Sequence, residues 1–464
     1  MIQFEKQSLA PEVILQTIEQ LRSGALMGIS HLKLSCDLNH FPSEIISLAD
    51  TLEILDLSGN SLSALPDDFS QLTKLRIIFC SNNEFIELPE VLGSCPELSM
   101  VGFKSNRICK VSAKAMPTKL RWLILTDNEI EELPEEIGNC SQLQKLMLAG
   151  NRLQKLPPSL INCNRLELLR IAANQLNEFP AFLMSLPRLS WLAYSGNPFS
   201  LESEAKAITD LSIIDIPWRS IELGHVIGEG ASGVIHHAKY SIADDESYWV
   251  AIKLFKGAVT SDGLPYSEVA VSIGAGKHPN LINIIGIVQD HPFGVNGLVM
   301  ELIDPNFINL AGPPSLESCT RDIYAKDVRY DLPIVLNIAL SIASAALFLH
   351  SKGILHGDFY AHNIMHCVKG RALVGDFGAA SFYSREDGAL SESLERFEVR
   401  AFGCVLEELI DRCKRFPEEI NALSLLIELK MACLADHIQC RPSFDEICEL
   451  LNDLTLALKN NASH

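Results

Sequence analysis

The sequence predicts an α/β solenoid of short stacked repeats followed by a separate α+β domain. Three observations carry that prediction: a 23-residue period through the first half, its end at Pro217, and a fixed order of glycines, one strand-borne lysine and spaced carboxylates beyond it. At 464 residues the chain exceeds what one hydrophobic core serves, so at least two separate cores are expected.

The period is read from L-x-x-L-x-L-x-x-N at Leu52, Leu55, Leu57 and Asn60. The frame returns at Asn83, Asn106, Asn128, Asn151, Asn174 and Asn197, with Asp37 at the equivalent place before them, and every interval is 23 residues except one of 22. The spaced apolar residues point inward from a short strand and turn, while the asparagine amide pairs backbone groups that the tight bend leaves open. One unit cannot bury its apolar face, but a stack can. Leu-Pro pairs at Leu65 and Pro66, Leu88 and Pro89, Leu133 and Pro134, and Leu156 and Pro157 start the return segments. These motifs resemble the leucine-rich-repeat family, with about eight repeats in residues 28–200. A helical cap is expected in residues 1–27, centred on 11–21, and a second cap (201–211) with a linker (210–219) fills residues 201–217 and leads into a domain over 218–458.

Alternate strand residues share one surface of such a stack. Phe79, Met100, Trp122, Ile124, Met147, Arg170 and Trp191 fall there, joined by Lys145. Aromatic, Met and Arg groups are enriched at interface centres. The stripe is therefore expected to bind a protein substrate or regulator, or to dock the second half of the same chain; sideways packing between rungs is the structural alternative.

With 58 acidic against 38 basic residues, a formal charge of −20 disfavours nucleic acid and anionic membrane surfaces as partners. The first residues show no basic run followed by an apolar one, and no stretch of eighteen or more apolar residues is uninterrupted. A cytoplasmic, unanchored protein is expected. Its thirteen cysteines form no C-x-x-C pair, and Cys95, Cys140 and Cys163 recur at one place in the repeat, which favours reduced buried thiols over metal ligation.

Beyond Pro217, residues 221–240 (IELGHVIGEGASGVIHHAKY) read as strand, glycine turn, strand, with Gly228, Gly230 and Gly233. Glycines at this spacing admit phosphates to backbone amides. Dinucleotide sites share the pattern, but there a helix follows the turn. Lys253 closes the apolar run Val250, Ala251, Ile252, and Glu268 is the only acid between Asp262 and Asp290 that can orient it. After a helical stretch come His356, Gly357 and Asp358, then Asn363, then Asp376, Phe377 and Gly378.

This ordered set resembles the protein-kinase family over about residues 218–458. The resemblance implies a bilobal α+β fold, ATP and Mg²⁺ as cofactors, and transfer of the γ-phosphate to a protein hydroxyl. It implies an ATP site of Ile227, Gly228, Glu229, Gly230, Gly233, Ile235, Ala251, Lys253, Met300, Glu301 and Leu302. Met300 would back the adenine pocket, with backbone groups of Glu301 and Leu302 facing the base. Asn363 and Asp376 would hold Mg²⁺, Lys253 paired with Glu268 would hold the α and β phosphates, and Asp358 would take the proton of the acceptor hydroxyl.

Gly357 stands where the family usually has arginine, and Tyr360 and His362 stand where a lysine or arginine follows the catalytic aspartate. The A-P-E motif is absent, and only about twenty residues separate Asp376 from Glu398, which takes the place of the helix-F aspartate. From these departures come further expectations. Serine or threonine is the acceptor, with Tyr360 or His362 touching the phosphate. Arg441 has lost its usual partner or turns to Glu392 or Glu395. Ser381, Tyr383, Ser384, Ser391 and Ser393 are candidates for autophosphorylation. The repeats dock substrate in place of the trimmed platform, so removing residues 1–205 should abolish natural-substrate phosphorylation while sparing ATP binding. The rival class is a pseudokinase or scaffold in which the repeats bind partners and the kinase fold only senses nucleotide. A third is transfer to a small molecule.

Overall fold

Each repeat places three residues in extended conformation, turns on its asparagine and returns through a short 3₁₀ turn. The computed structural model describes residues 16–209, 214–230, 232–243, 246–257, 259–260, 262–386 and 388–461. They form two bodies, residues 1–143 with 156–163 and residues 144–155 with 164–464. Residues 1–15 of the expected amino-terminal cap and residues 210–213 of the expected second cap and linker lie outside the described residues.

In the first body a short helix α1 (Ile18–Arg22) opens with a capping box in which Thr17 and Gln20 bond each other's backbone. The strands β1 (His31–Lys33), β2 (Ile54–Asp56), β3 (Ile77–Phe79), β4 (Met100–Gly102) and β5 (Trp122–Ile124) pair in parallel, residue for residue. The asparagine ladder has the expected cause. Asn60 donates to the carbonyls of Leu34 and Leu57 at 2.9 and 2.7 Å, and its amide oxygen accepts from the N–H groups of Cys36 and Leu38. Proline precedes most return turns, as at Pro42, Pro66, Pro89 and Pro134, where it presets φ and needs no hydrogen-bond partner.

The second body begins with the same pattern in β6 (Lys145–Met147), β7 (Leu168–Arg170) and β8 (Trp191–Ala193), closed by α2 (Leu201–Thr209). A six-stranded sheet follows, built from β9 (Asp215–Pro217), β10 (Ile221–Glu229), β11 (Gly233–Ala243), β12 (Glu246–Phe255), β13 (Ile284–Gln289) and β14 (Gly297–Glu301). Its spatial order is β10, β11, β12, β14, β13, β9, and α3 (Pro265–Ala275) lies between β12 and β13 in the chain. The larger lobe is organised around α4 (Leu332–Ser351), with α5 (Gly388–Asp411), α6 (Ile420–Cys433) and α7 (Phe444–Asn461). α4 is long and apolar enough by composition to cross a membrane, but twelve of its twenty residues are buried in this lobe's core. Two small sheets carry the loops of interest: β15 (Ile308–Asn309) with β17 (Ile364–His366) and β18 (Ala372–Val374), and β16 (Ile354–Leu355) with β19 (Ser381–Phe382).

The largest core of the second body is continuous across its repeat strands and its helices. Leu168 and Trp191 belong to the same buried cluster as Leu336, Phe359, Tyr360 and Phe402, and Met147 packs against it.

Candidate functional site

The glycine turn between β10 and β11 and the lysine of β12 align across three strands, because Gly228 lies opposite Ile235 and Ile235 opposite Lys253. The three glycines differ in what holds them small. A Cβ on Gly233 would stand 2.6 Å from the Leu254 carbonyl oxygen, so the hairpin itself requires glycine there. One on Gly230 would meet nothing within 4 Å, and one on Gly228 only ordinary contact with Ile235. Packing demands neither of these two, and the open space suits a phosphate group approaching backbone amides. Ala251 and Met300 face each other between β12 and β14. Ile227 is exposed at the edge of the turn. The N–H of Glu301 already donates to Asn283, so that residue can offer an adenine base only its carbonyl.

Lys253 is buried and makes an ion pair with Glu268 on α3 and a second, at 3.3 Å, with Asp376. Burial opposes the ammonium charge, but Asp376 and Glu268 raise its pKa above the ordinary lysine value. Burial also opposes ionisation of Asp376, yet Lys253 and the Gly378 N–H hold its carboxyl below the usual range. Glu268 shares that ammonium, and burial together with Asp376 pushes it up to about 7 against the pull of Lys253. Its Oε2 is buried with no hydrogen-bond partner among the described residues. One cation between two carboxylates leaves the cluster net negative, which suits a divalent ion on the open side of Asp376, whose side chain is 48% exposed.

Asn363 donates its amide to the backbone oxygen and Oδ2 of Asp358, at 3.1 and 2.7 Å, which turns its own Oδ1 free for a metal. The loop that presents them is tied down from below. His356 is fully buried, with Nε2 3.0 Å from the Gly375 carbonyl, and Glu398 accepts from the Gly357 N–H at 2.6 Å while its other oxygen meets His350 at 2.7 Å. Glu398 thus ties the loop that carries Asp358 to α5 and, through His350, to α4.

The pKa shifts set a sign for stability. Burial pushes Glu408 up to about 7 as well, despite Arg321 beside it. Both glutamates bind their protons more tightly folded than unfolded, so the stability they contribute is complete below the ordinary 4.5 and is lost as pH rises through 7. Asp376, lowered from 3.8, is ionised across that window and does not change the sign. Because His278 and His366, lowered by burial, act in the opposite sense, the readout is the difference from Glu268→Gln: the wild-type urea midpoint is expected to fall relative to that variant between about pH 5 and about pH 8, and a wild type that rises relative to it contradicts the assignment.

The stripe residues divide between the bodies. Phe79, Trp122 and Ile124 are half-buried in the first body, whereas Met100 is buried and offers no docking surface, a correction to its expected role. In the second body the stripe is occupied by the chain itself. The Trp191 indole stacks on Tyr360 with ring centroids 4.2 Å apart and donates Nε1–H to the Phe359 carbonyl. Arg170 forms a salt bridge to Asp358, donates to the Gly357 carbonyl at 3.1 Å, and pairs with Asp262 at 2.7 Å. Burial disfavours its charge, and the carboxylates of Asp358 and Asp262 more than offset that. Lys145, one strand away, is buried, and burial lowers its pKa while Asp358 and Asp322 oppose the shift.

Gly357 now has a physical reason. Its φ is +72°, and a Cβ there would stand 2.7 Å from the Leu192 carbonyl of β8 and 2.5 Å from that of Ala379. An arginine cannot occupy that space.

Several finer expectations are corrected. Tyr360 lies under Trp191, and His362 is held by Asp322 at 2.8 Å, so neither side chain is aimed at a phosphate. Arg441 bonds the carbonyls of Ala435, Arg396 and Pro187, and no glutamate among the described residues, as the lost-partner alternative has it; Glu392 pairs with Arg396, and Glu395 accepts from Tyr383. Ser381, Tyr383, Ser391 and Ser393 are buried, leaving Ser384 as the exposed hydroxyl of the five. Reading motifs alone missed Arg170 and Asp262 as parts of this centre. The available signal was the run His356–Asn363, which contains no lysine or arginine, beside a repeat surface that carries both.

Residues 221–404 match the family model described as protein tyrosine and serine/threonine kinase, residues 97–225 match a leucine-rich repeat region, and residues 51–72 match a single leucine-rich repeat. The chain is similar to the probable serine/threonine-protein kinase kinY of Dictyostelium discoideum, 27% identical over 307 residues, covering 55% of this chain and 51% of that protein. It is also similar to the probable serine/threonine-protein kinase kinX of the same organism, at 29% over 221 residues (40% of this chain, 19% of that protein). The serine/threonine-protein kinase GRIK1 of Arabidopsis thaliana matches at 27% over 178 residues (36% and 41%). The chain spans about half or less of the length of these curated relatives.

Proposed function

We propose, from the premise that the chain joins leucine-rich repeats to a protein kinase domain, that it is an ATP-dependent serine/threonine protein kinase. The observation that carries the reading is the Lys253, Glu268 and Asp376 ion-pair cluster, together with Asp358 and Asn363 bonded to each other. Mg·ATP supplies the phosphoryl group and the divalent charge when bound. Lys253, oriented by Glu268, would hold the α and β phosphates; Asp376 and Asn363 would hold the metal; Ala251 and Met300 would bound the adenine site. Asp358 accepts the proton of the acceptor hydroxyl. Its oxygens already accept from Arg170 and Asn363, but each retains a lone pair, and 16% of its side chain is exposed. The half-buried Phe79, Trp122 and Ile124 are the part of the stripe proposed to bind a protein substrate or regulator. Cytoplasmic location belongs to the same reading, supported by thirteen cysteines that are all free thiols.

A second reading, a nucleotide-sensing scaffold without transfer, draws on the salt bridge that Arg170 makes to Asp358. Transfer of labelled γ-phosphate from Mg·ATP to the chain itself and to a generic protein, compared between wild type and Asp358→Asn, decides between them. Incorporation on serine or threonine that disappears in the variant supports the kinase. No incorporation by a wild-type protein that is thermally stabilised by Mg·ATP supports the scaffold.

A further inference from the structure

The loop that carries Asp358, residues 356–363, holds no lysine or arginine. The cation that meets Asp358 comes instead from a repeat strand. Arg170 on β7 is buried and directs three N–H groups at three acceptors: Oδ1 of Asp358, the carbonyl of the residue before it, and the carboxylate of Asp262 ahead of α3. A guanidinium anchored at three points fixes one oxygen of the aspartate as Asn363 fixes the other, leaving the carboxylate little freedom to rotate.

We propose that Arg170 is a positioning residue of the catalytic centre: the repeats provide the cation that orients the base Asp358, in place of a cation in the catalytic loop. The inference rests on the kinase reading above. It makes the repeat strands β6 to β8 part of the active site rather than a recruiting arm. The seating agrees with permanence. Ala149, Ala172 and Ala193 of the repeats pack against Ala379 as a fully buried cluster, the Tyr194 hydroxyl donates to the Phe382 carbonyl, and Glu204 accepts from Ser267 of α3. A contact so extensive is unsuited to a cap that opens at each activation.

The test uses the full chain as wild type, Arg170→Gln, Arg170→Lys and Asp358→Asn, with steady-state phosphotransfer to one protein acceptor and thermal stability with and without Mg·ATP. Arg170→Gln is expected to lower kcat by about tenfold to a hundredfold with nucleotide KM and Mg·ATP-induced stabilisation unchanged, since positioning of a base is realised in the transition state. Arg170→Lys keeps the charge and is expected to recover a measurable part of that loss. Unchanged kcat in Arg170→Gln overturns the proposal, and a raised kcat overturns it in favour of an inhibitory cap on Asp358. Equal impairment of Arg170→Lys and Arg170→Gln at wild-type melting temperature also overturns it. Should Arg170→Gln not fold, Asp262→Asn, which loosens the same guanidinium from its other carboxylate, is expected to lower kcat without changing nucleotide KM; an unaltered kcat there is equally fatal. Absence of transfer in the wild type would be failure of the kinase reading itself, which the wild-type and Asp358→Asn arms report separately.

Discussion

Asp358→Asn is expected to reduce phosphotransfer by about a hundredfold to ten-thousandfold, the range in which a positioned general base contributes. Two separate losses combine in this variant. An amide cannot take the hydroxyl proton, so the acceptor oxygen must leave its proton to water. The amide also brings donors into a place where Asn363 and Arg170 already donate. One of the two bonds must break, or the amide must rotate its oxygen toward Arg170 and abandon Asn363. Because Arg170 keeps Asp262 and the Gly357 carbonyl, the cost to folding should stay near 1–3 kcal/mol, the penalty for one unsatisfied buried polar group. Stabilisation by Mg·ATP should persist, since Lys253 and Asp376 are untouched. Loss of that stabilisation together with activity would mean that the variant has lost its fold, and Asp358 would then have to be tested by Asp358→Glu.

Trp191→Ala is expected to destabilise the second body by about 3–5 kcal/mol, the range for truncating a fully buried aromatic side chain. Trp191 is 1% exposed, lies within 9° of parallel to the Tyr360 ring, and its indole N–H serves the Phe359 carbonyl. Truncation removes the stack, opens a cavity beside the catalytic loop and leaves that carbonyl unpaired. Activity should fall with stability, because Tyr360 is two residues from Asp358. Urea denaturation measures the first effect, with Trp191→Phe expected between the two. A loss below about 1 kcal/mol would show that the indole is only loosely held. The same packing revises what deletion of residues 1–205 should do. It would strip Arg170, Trp191 and Tyr194 from a core they complete, so the remaining chain is expected to lose nucleotide binding along with substrate phosphorylation.

The repeat half was legible because its cause is local and repeated. Every rung solves the same problem of an unpaired bend, and the asparagine that solves it recurs in the chain at a fixed interval. On the phosphate side, Lys253, Asn363 and Asp376 stood out through their resemblance to one family's ordered set, and Glu268 as the only acid in its stretch. What the sequence did not disclose was pairing across long separations. Arg170 and Asp358 lie 188 residues apart, and Arg441 reaches Pro187 across 254. Gly357 and Tyr360 were visible as departures, but their reason, a repeat carbonyl and an indole seated against them, belongs to tertiary packing that no local pattern encodes.

Repeat arrays ordinarily gain and lose whole units without penalty, because each rung contacts only its neighbours. The alanine seam at Ala149, Ala172, Ala193 and Ala379 withdraws that freedom from one end of this array. Inserting or deleting a single 23-residue rung between Lys145 and Asn197 would carry Arg170 or Trp191 one strand spacing away from Asp358 or Tyr360, about 4.8 Å. The number of rungs between Lys145 and Asn197 is thus set by the side chains that those rungs carry to the loop of Asp358.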